Sequence, residues 1–157
     1  MNDAAHKGQV VKDAAVVVCN GNTAALQCCD LWHRYVHGID DIFDLREDGR
    51  VTQNNAQLMD VFWTAAMLYN CEFYVAHQKY LFPIVVHVTN AYADVVDWER
   101  DPLEHRRAIA DVQRCCGNDF YFAVAMIIGG VKHLRKVSPL IRETSWILQH
   151  DEHDKPD

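Results

Sequence analysis

Acidic side chains are concentrated, together with one imidazole, in the segment from residue 37 to residue 44. His37, Asp40, Asp41 and Asp44 fall within these eight residues. On an α-helix, residues three and four positions apart are neighbours, so all four groups share one side. Carboxylates this close repel one another unless water with counter-ions, or a bound cation, lies between them. The segment therefore predicts either a solvated acidic face or a divalent-metal site.

Different properties of α-helices favour the solvated face and the metal site. A helix with an apolar stripe, here Trp32, Tyr35 and Ile39, has a wet side where acids belong. However, Asp is a poor residue for a helix interior, and carboxylates at a helix C-terminus oppose the helix dipole at a cost of roughly 0.3–1 kcal/mol each. A divalent cation would reverse the sign of that local field.

The metal alternative predicts a particular chemistry. Carboxylate oxygens are hard donors, so Mg²⁺ or Mn²⁺ is favoured over zinc, and Mg²⁺ commonly binds substrate phosphates as well. We expect Asp40, Asp41 and Asp44 to hold the metal and His37 to act as a base or to support a ligand. The predicted function is a metal-dependent hydrolase, or related enzyme, acting on a phosphate or diphosphate ester such as a nucleotide.

A fourth carboxylate, Asp119, also enters this hypothesis. It follows Cys115 by four residues and precedes Ala123 by four, so in a continuous helix it would point inward. A buried lone carboxylate needs a partner, and Asp119 would complete the metal shell or orient the attacking water. The alternative is a helix break at Gly117 and Asn118, which would make Asp119 an N-cap.

Cationic groups for the substrate oxygens would be Arg46, Arg50 or Lys132. No Gly-rich phosphate loop, GxSxG turn or HExxH pair accompanies them in the sequence. A net charge of −7 argues against nucleic-acid binding, which needs a basic footprint.

The composition predicts one soluble, cytoplasmic domain. The chain has 157 residues, half of them hydrophobic, which suits a single core. Its six cysteines include two adjacent pairs, unlike a secreted disulfide framework, and are interpreted as small buried residues in a reducing compartment. The N-terminal residues have no signal-peptide pattern, and no apolar run is long enough to span a bilayer.

Periodicity predicts an all-α, single-domain helical bundle of about five to seven helices over residues 1–150. Residues 151–157 are expected to form a frayed tail. A break at Gly129-Gly130 and a restart at Ser138-Pro139 are predicted near the end. The expected helices cover about residues 9–19, 23–44, 52–69, 71–79, 81–99, 102–128 and 139–150.

A second functional hypothesis is a non-catalytic α-helical interaction or assembly protein with a solvated acidic face. The hydrophobic content would then include a homo-oligomer interface around Trp63, Phe73, Tyr74 and Phe82. Magnesium-dependent thermal stabilisation that is lost in Asp41→Asn would distinguish the two hypotheses.

The run Asp40-Asp41-Ile-Phe-Asp44 resembles DDxxD, the aspartate-rich motif of class I isoprenoid synthases. That resemblance implies an all-α enzyme that binds magnesium and a diphosphate. The second motif of those enzymes, NDxx(S/T)xxxE, starts correctly at Asn118-Asp119. It then departs, because Phe122 and Met126 stand where a hydroxyl and an acid belong.

Most of the chain also looks like small α-helical proteins of unassigned function from phage and environmental sequences. Features that carry this resemblance are the acid run of residues 37–44 and the later Pro83, Asn90, Asp119 and Gly129-Gly130. The resemblance implies a helical fold and no particular chemistry.

Overall fold

The computed structural model describes residues 12–47 and 55–150, with side chains described for residues 12–42 and 56–145. Four sequence-based expectations fall outside that range. They are the start of the first helix near residue 9, the start of the third helix near residue 52, the frayed tail at residues 151–157 and the cationic role of Arg50.

The described residues are almost entirely helical and contain no β-strand, which confirms the prediction of an all-α bundle of about five to seven helices. A 3-10 turn at Arg114–Gly117 separates the last two helices. The helices are α1 (residues 12–19), α2 (Thr23–Glu47), α3 (Asn55–Asn70), α4 (Glu72–Trp98), α5 (Glu104–Gln113) and α6 (Asn118–His150).

The turn between α1 and α2 follows directly from its residues. Asn20 and Gly21 both have positive φ angles, of 46° and 83°, which Gly adopts freely and Asn tolerates. The side chain of Asn22 then accepts a hydrogen bond from the Ala25 amide at 2.9 Å, so Asn22 is the N-cap of α2. The predicted start of this helix near Thr23 is confirmed.

Helix α2 contacts α3, α4 and α6, and α4 contacts α2, α3, α5 and α6. Close approach of α3 requires a glycine in α2. A Cβ atom placed on Gly38 would lie 2.6 Å from Cγ2 of Val61. The glycine inside the acid segment is therefore explained by helix packing.

Helix α4 consists of two helical segments that meet at a kink. The backbone at His77 has non-helical angles, with φ of −120° and ψ of 17°. The predicted separation into segments at 71–79 and 81–99 is therefore confirmed, with the break at residue 77 instead of residue 80. Pro83 lies six residues beyond the kink, inside the second segment and not at its start.

The region around residues 100–118 also corrects the prediction of one long helix over 102–128. Asp101 accepts a hydrogen bond from the Leu103 amide at 2.8 Å and an ion pair from Arg106 at 2.7 Å, and α5 begins at Glu104. The helix then ends at Gln113, and α6 starts at Asn118 after the 3-10 turn.

Helix α6 folds back on itself at the predicted glycine pair. Gly130 has φ of 65° and ψ of −167°, far from helical values. The hydroxyl of Ser145 donates to Oδ1 of Asn118 at 2.7 Å, which no straight helix permits across 27 residues. Residues 118–129 and 131–150 are therefore antiparallel arms. Pro139 lies within the second arm, so the predicted restart at Ser138-Pro139 was wrong.

The core lies where α2 meets α4 and the first arm of α6. The indole of Trp32 stacks on the ring of Phe120, with centroids 4.4 Å apart and planes 11° apart. Its Nε1 donates to the Gly117 carbonyl at 3.0 Å, which satisfies one carbonyl of the 3-10 turn. Within the described helices, none is both long and apolar enough to cross a membrane.

Candidate functional site

The acid segment lies in the C-terminal half of α2. The side chains of His37 and Asp41 are exposed, whereas Asp40 is half-buried. The Asp44 backbone belongs to α2, but its side chain lies outside the described side chains, as does that of Arg46. Exposure of His37 and Asp41 is what a solvated acidic face requires.

A second histidine, His33, lies one turn before His37 on the same helix. The two imidazole rings meet edge to face, with centroids 4.2 Å apart. Burial lowers the pKa of His33 to about 4, and the positive charge of protonated His37 acts in the same direction. His33 is therefore neutral at physiological pH. No sequence pattern separates it from His37, because burial of His33 arises only from helix packing.

Asp40 has a different neighbour, since its charge acts on the phenol of Tyr92 in α4. Burial raises the pKa of the Tyr92 hydroxyl well above its usual range, and the negative charge of Asp40 raises it further. The ring of Tyr92 lines a half-open groove of about 320 Å³ between α2 and α4. Trp32, Ile39 and Ile42 line the same groove, so its walls are almost entirely apolar.

Asp119 lies in the first turn of α6, where a carboxylate is favoured by the helix dipole. The interruption at residues 114–117 removes the continuous helix that would have pointed it inward. Its Oδ2 lies 3.7 Å from Nε2 of His87, and both side chains are about half exposed. Burial, and secondarily the Asp119 charge, raise the pKa of Cys116 to about 11.

Among the described side chains, those of residues 12–42 and 56–145, no three or more His, Cys, Asp or Glu are placed to hold one metal ion. Asp40 and Asp41 are accordingly not joined by Asp119 in a ligand set. The predicted metal site depends on Asp44, and Mg²⁺ or Mn²⁺ binding there stays a prediction. Lys132 is exposed in the second arm of α6.

Four cysteines form a cluster that their spacing did not reveal. The Sγ atoms of Cys19 and Cys29 are 3.7 Å apart, and Cys28 interacts with Cys71. All four are buried and free, in agreement with their interpretation as small core residues. Burial raises the pKa of the Cys28 thiol far above neutral pH, so this thiol stays protonated.

The least expected surface belongs to α3, and we call it the outer face. It occupies the side of α3 that points away from the core and carries no charged residue. Its members are Leu58, Met59, Phe62, Trp63, Ala66 and Met67, all of them exposed.

Two of the four residues proposed for an interface are exposed and two are not. Trp63 is 65% exposed on the outer face of α3, and Phe82 is 49% exposed on α4. Phe73 and Tyr74 are instead buried in the core. Their assignment to a surface was wrong, because both face inward from the first turn of α4.

Comparisons of this chain with protein-family models, with curated proteins and with solved structures find no match. The class of protein that the geometry defines is an all-α helical bundle.

Proposed function

We propose that this protein is a non-catalytic α-helical interaction or assembly protein, and that the outer face of α3 is its contact surface. The single observation that carries the proposal is the exposure of large apolar side chains on this face, led by Trp63 at 65% and Phe62 at 61%. Contiguous apolar patches on soluble monomers are small, and larger ones mark interaction sites.

The acidic side of α2 supports the same proposal. His37 and Asp41 are exposed, and Asp119 is paired with His87, so both acidic regions have ordinary structural surroundings. A solvated acidic face would keep the rest of the surface soluble while α3 is engaged.

The experiment compares the full chain with Trp63→Asp. Gel filtration with light scattering would measure self-association, and affinity capture from source cells with mass spectrometry would measure binding to other proteins. We expect the substitution to abolish whichever association the wild-type protein shows. Val112→Asp is the matched control, since Val112 is 73% exposed on α5 and lies outside the outer face.

This proposal fails if no association of any kind depends on Trp63. It fails equally if Val112→Asp abolishes the same association, because the effect would then come from added charge. Circular dichroism of each variant establishes that the helices are intact.

A second candidate function is the metal-dependent hydrolase of a phosphate or diphosphate ester. The observation that favours it is the influence of the Asp40 charge on Tyr92, a residue that lines the apolar groove. A substrate with an apolar body and a phosphate end would fit this region, with its apolar part in the groove and its phosphate near the carboxylates. Asp40, Asp41 and Asp44 would hold Mg²⁺ or Mn²⁺, with His37 and Asp119 serving the attacking water.

Thermal melting with and without millimolar MgCl₂ or MnCl₂ tests the second candidate. A real site raises the midpoint, and Asp41→Asn removes the rise. Asp111→Asn, which changes an exposed carboxylate on α5, is the control. An unchanged midpoint in the wild-type protein would eliminate the hydrolase hypothesis without affecting the assembly proposal.

A further inference from the structure

We infer that the partner of the outer face of α3 is a second copy of this chain, so that two α3 helices pack against each other across a two-fold axis. The inference rests on the proposed function and identifies the partner. Four observations carry it: the width of the apolar arc, its lack of charge, its area and the placement of its aromatic rings.

The apolar arc covers about half the circumference of α3. At roughly 100° per residue, the six side chains of the outer face span about 180°. The opposite side of the helix is already used, since Thr64 and Leu68 are buried and Val61 packs against Gly38. The outer face is therefore the part of α3 that the described residues leave uncovered.

Charge makes self-association most favourable at this face. The chain carries a net charge of −7, so most approaches between two copies are opposed by repulsion. The one charged residue of α3 is Asp60, and Arg34 of the same chain pairs with it at 3.3 Å. Two copies that meet at α3 thus contact each other through uncharged surfaces, and the Asp60 charge beside each surface is neutralised by Arg34.

The exposed area matches what a stable dimer needs. Five large side chains of the outer face are each 44–65% exposed. At on the order of 100 Å² each, they present about 500 Å², near the upper end of patches on monomers. Two such faces bury on the order of 1,000 Å² in total, the lower bound for a specific interface.

The aromatic residues occupy the middle of the face. Phe62 and Trp63 lie halfway between Leu58 and Met67 along the helix. In a contact with two-fold symmetry, the central residues of one copy meet those of the other. Large aromatic side chains at the centre of an interface usually carry most of the binding energy.

A membrane surface is a poorer occupant for this face. Interfacial helices combine an apolar face with Lys and Arg that bind anionic lipid headgroups. Helix α3 contains neither Lys nor Arg, and Arg34 of the adjacent α2 is paired with Asp60. The acidic chain would also be repelled by anionic headgroups.

Sedimentation velocity of the full chain, from low micromolar to several hundred micromolar concentration, tests the inference. We expect a concentration-dependent dimer in the wild-type protein. Phe62→Asp and Trp63→Asp should each raise the dimer dissociation constant by at least about thirtyfold, as expected for central hot-spot residues. Val112→Asp should leave it unchanged. A parallel flotation assay uses phosphatidylcholine vesicles containing phosphatidylglycerol.

A wild-type monomer at every concentration overturns the inference, as does a dimer that both α3 variants leave intact. Binding of a wild-type monomer to the vesicles, lost in Trp63→Asp, would identify a membrane surface as the occupant and overturn it too. In any of these cases, capture of a different protein through Trp63 would leave the broader assembly proposal standing.

Discussion

Trp32 and Trp63 lie on adjacent helices that pack together, yet their surroundings are opposite. Trp32 is 1% exposed, stacks on Phe120 and has its indole N–H bonded to a carbonyl. Trp63 is 65% exposed on the outer face of α3. The first residue is explained by the fold of one chain, whereas the second is not.

The two helices differ in the side that faces away from the core. On α2 that side carries charged or polar groups, among them Asp30, Arg34, His37 and Asp41, all exposed. On α3 the corresponding side is apolar. The apolar stripe of an amphipathic helix has to be buried against other helices, and in α2 this is so. In α3 a second apolar surface stays exposed. The comparison therefore separates residues that stabilise the fold from residues available for contacts with a partner.

The largest predicted effect tests the buried side of this comparison. Phe120→Ala should lower the free energy of unfolding by about 3–5 kcal/mol, since it removes a ring that is 0% exposed and stacks on Trp32. The matched variant Phe62→Ala changes the same residue type on the outer face of α3. Its effect on the monomer should stay within about 0.5 kcal/mol.

Urea-induced unfolding of both variants at low protein concentration measures the difference. Low concentration matters because any dimer would add its own stabilisation to the wild-type value. Equal losses in the two variants would mean that Phe62 supports the monomer fold, and the distinction between the two regions would disappear.

Much of the helical framework follows from local sequence signals. Asn22 caps α2 at the expected place, and Gly130 breaks the last helix where a glycine pair predicted it. These features depend on residues whose preferences are local. The same reasoning placed the break of α4 at residue 80, three residues after the observed kink at His77. It offered the break before Asn118 only as an alternative to a continuous helix. At the second position, tertiary contacts such as the Trp32–Gly117 hydrogen bond contribute.

The candidate site was predictable only in part. Spacing correctly placed His37, Asp40 and Asp41 on one helix, because neighbours on a helix are fixed by its geometry. Spacing could not place Asp119, whose partner His87 lies 32 positions earlier in the sequence and comes near only through packing of α4 on α6. Nor could it show which apolar side of α3 points outward, since Val61 and Leu68 also give the side that faces the bundle an apolar character.

The next prediction concerns the pH dependence of the buried side. His33 has a pKa of about 4 in the folded protein, against the ordinary histidine value of 6.5 in the unfolded chain. The pKa is lowered mainly because burial disfavours the charged form. Between these values the unfolded chain binds more protons, so stability rises with pH across this window. Acidification from pH 6.5 to 4 should cost up to about 3 kcal/mol through this residue.

Unfolding free energies measured at several pH values, for the wild-type protein and for His33→Gln, test this effect. The variant should have a shallower dependence between pH 4 and 6.5, while His105→Gln, an exposed residue of α5, should behave like the wild-type protein. Parallel curves for all three proteins would show that His33 is charged in the folded state and is less buried than described here.

The smallest predicted effect concerns one buried atom, the hydroxyl oxygen of Tyr74. Among the described residues, the Tyr74 hydroxyl has no hydrogen-bond partner although its side chain is fully buried. An unpaired buried hydroxyl is destabilising, so Tyr74→Phe should raise the free energy of unfolding by about 1 kcal/mol. Tyr80→Phe is the matched control, because Tyr80 is 54% exposed. Thermal melts should show a higher midpoint for Tyr74→Phe and little change for Tyr80→Phe. A loss of stability in Tyr74→Phe would mean that the Tyr74 hydroxyl is hydrogen-bonded in solution.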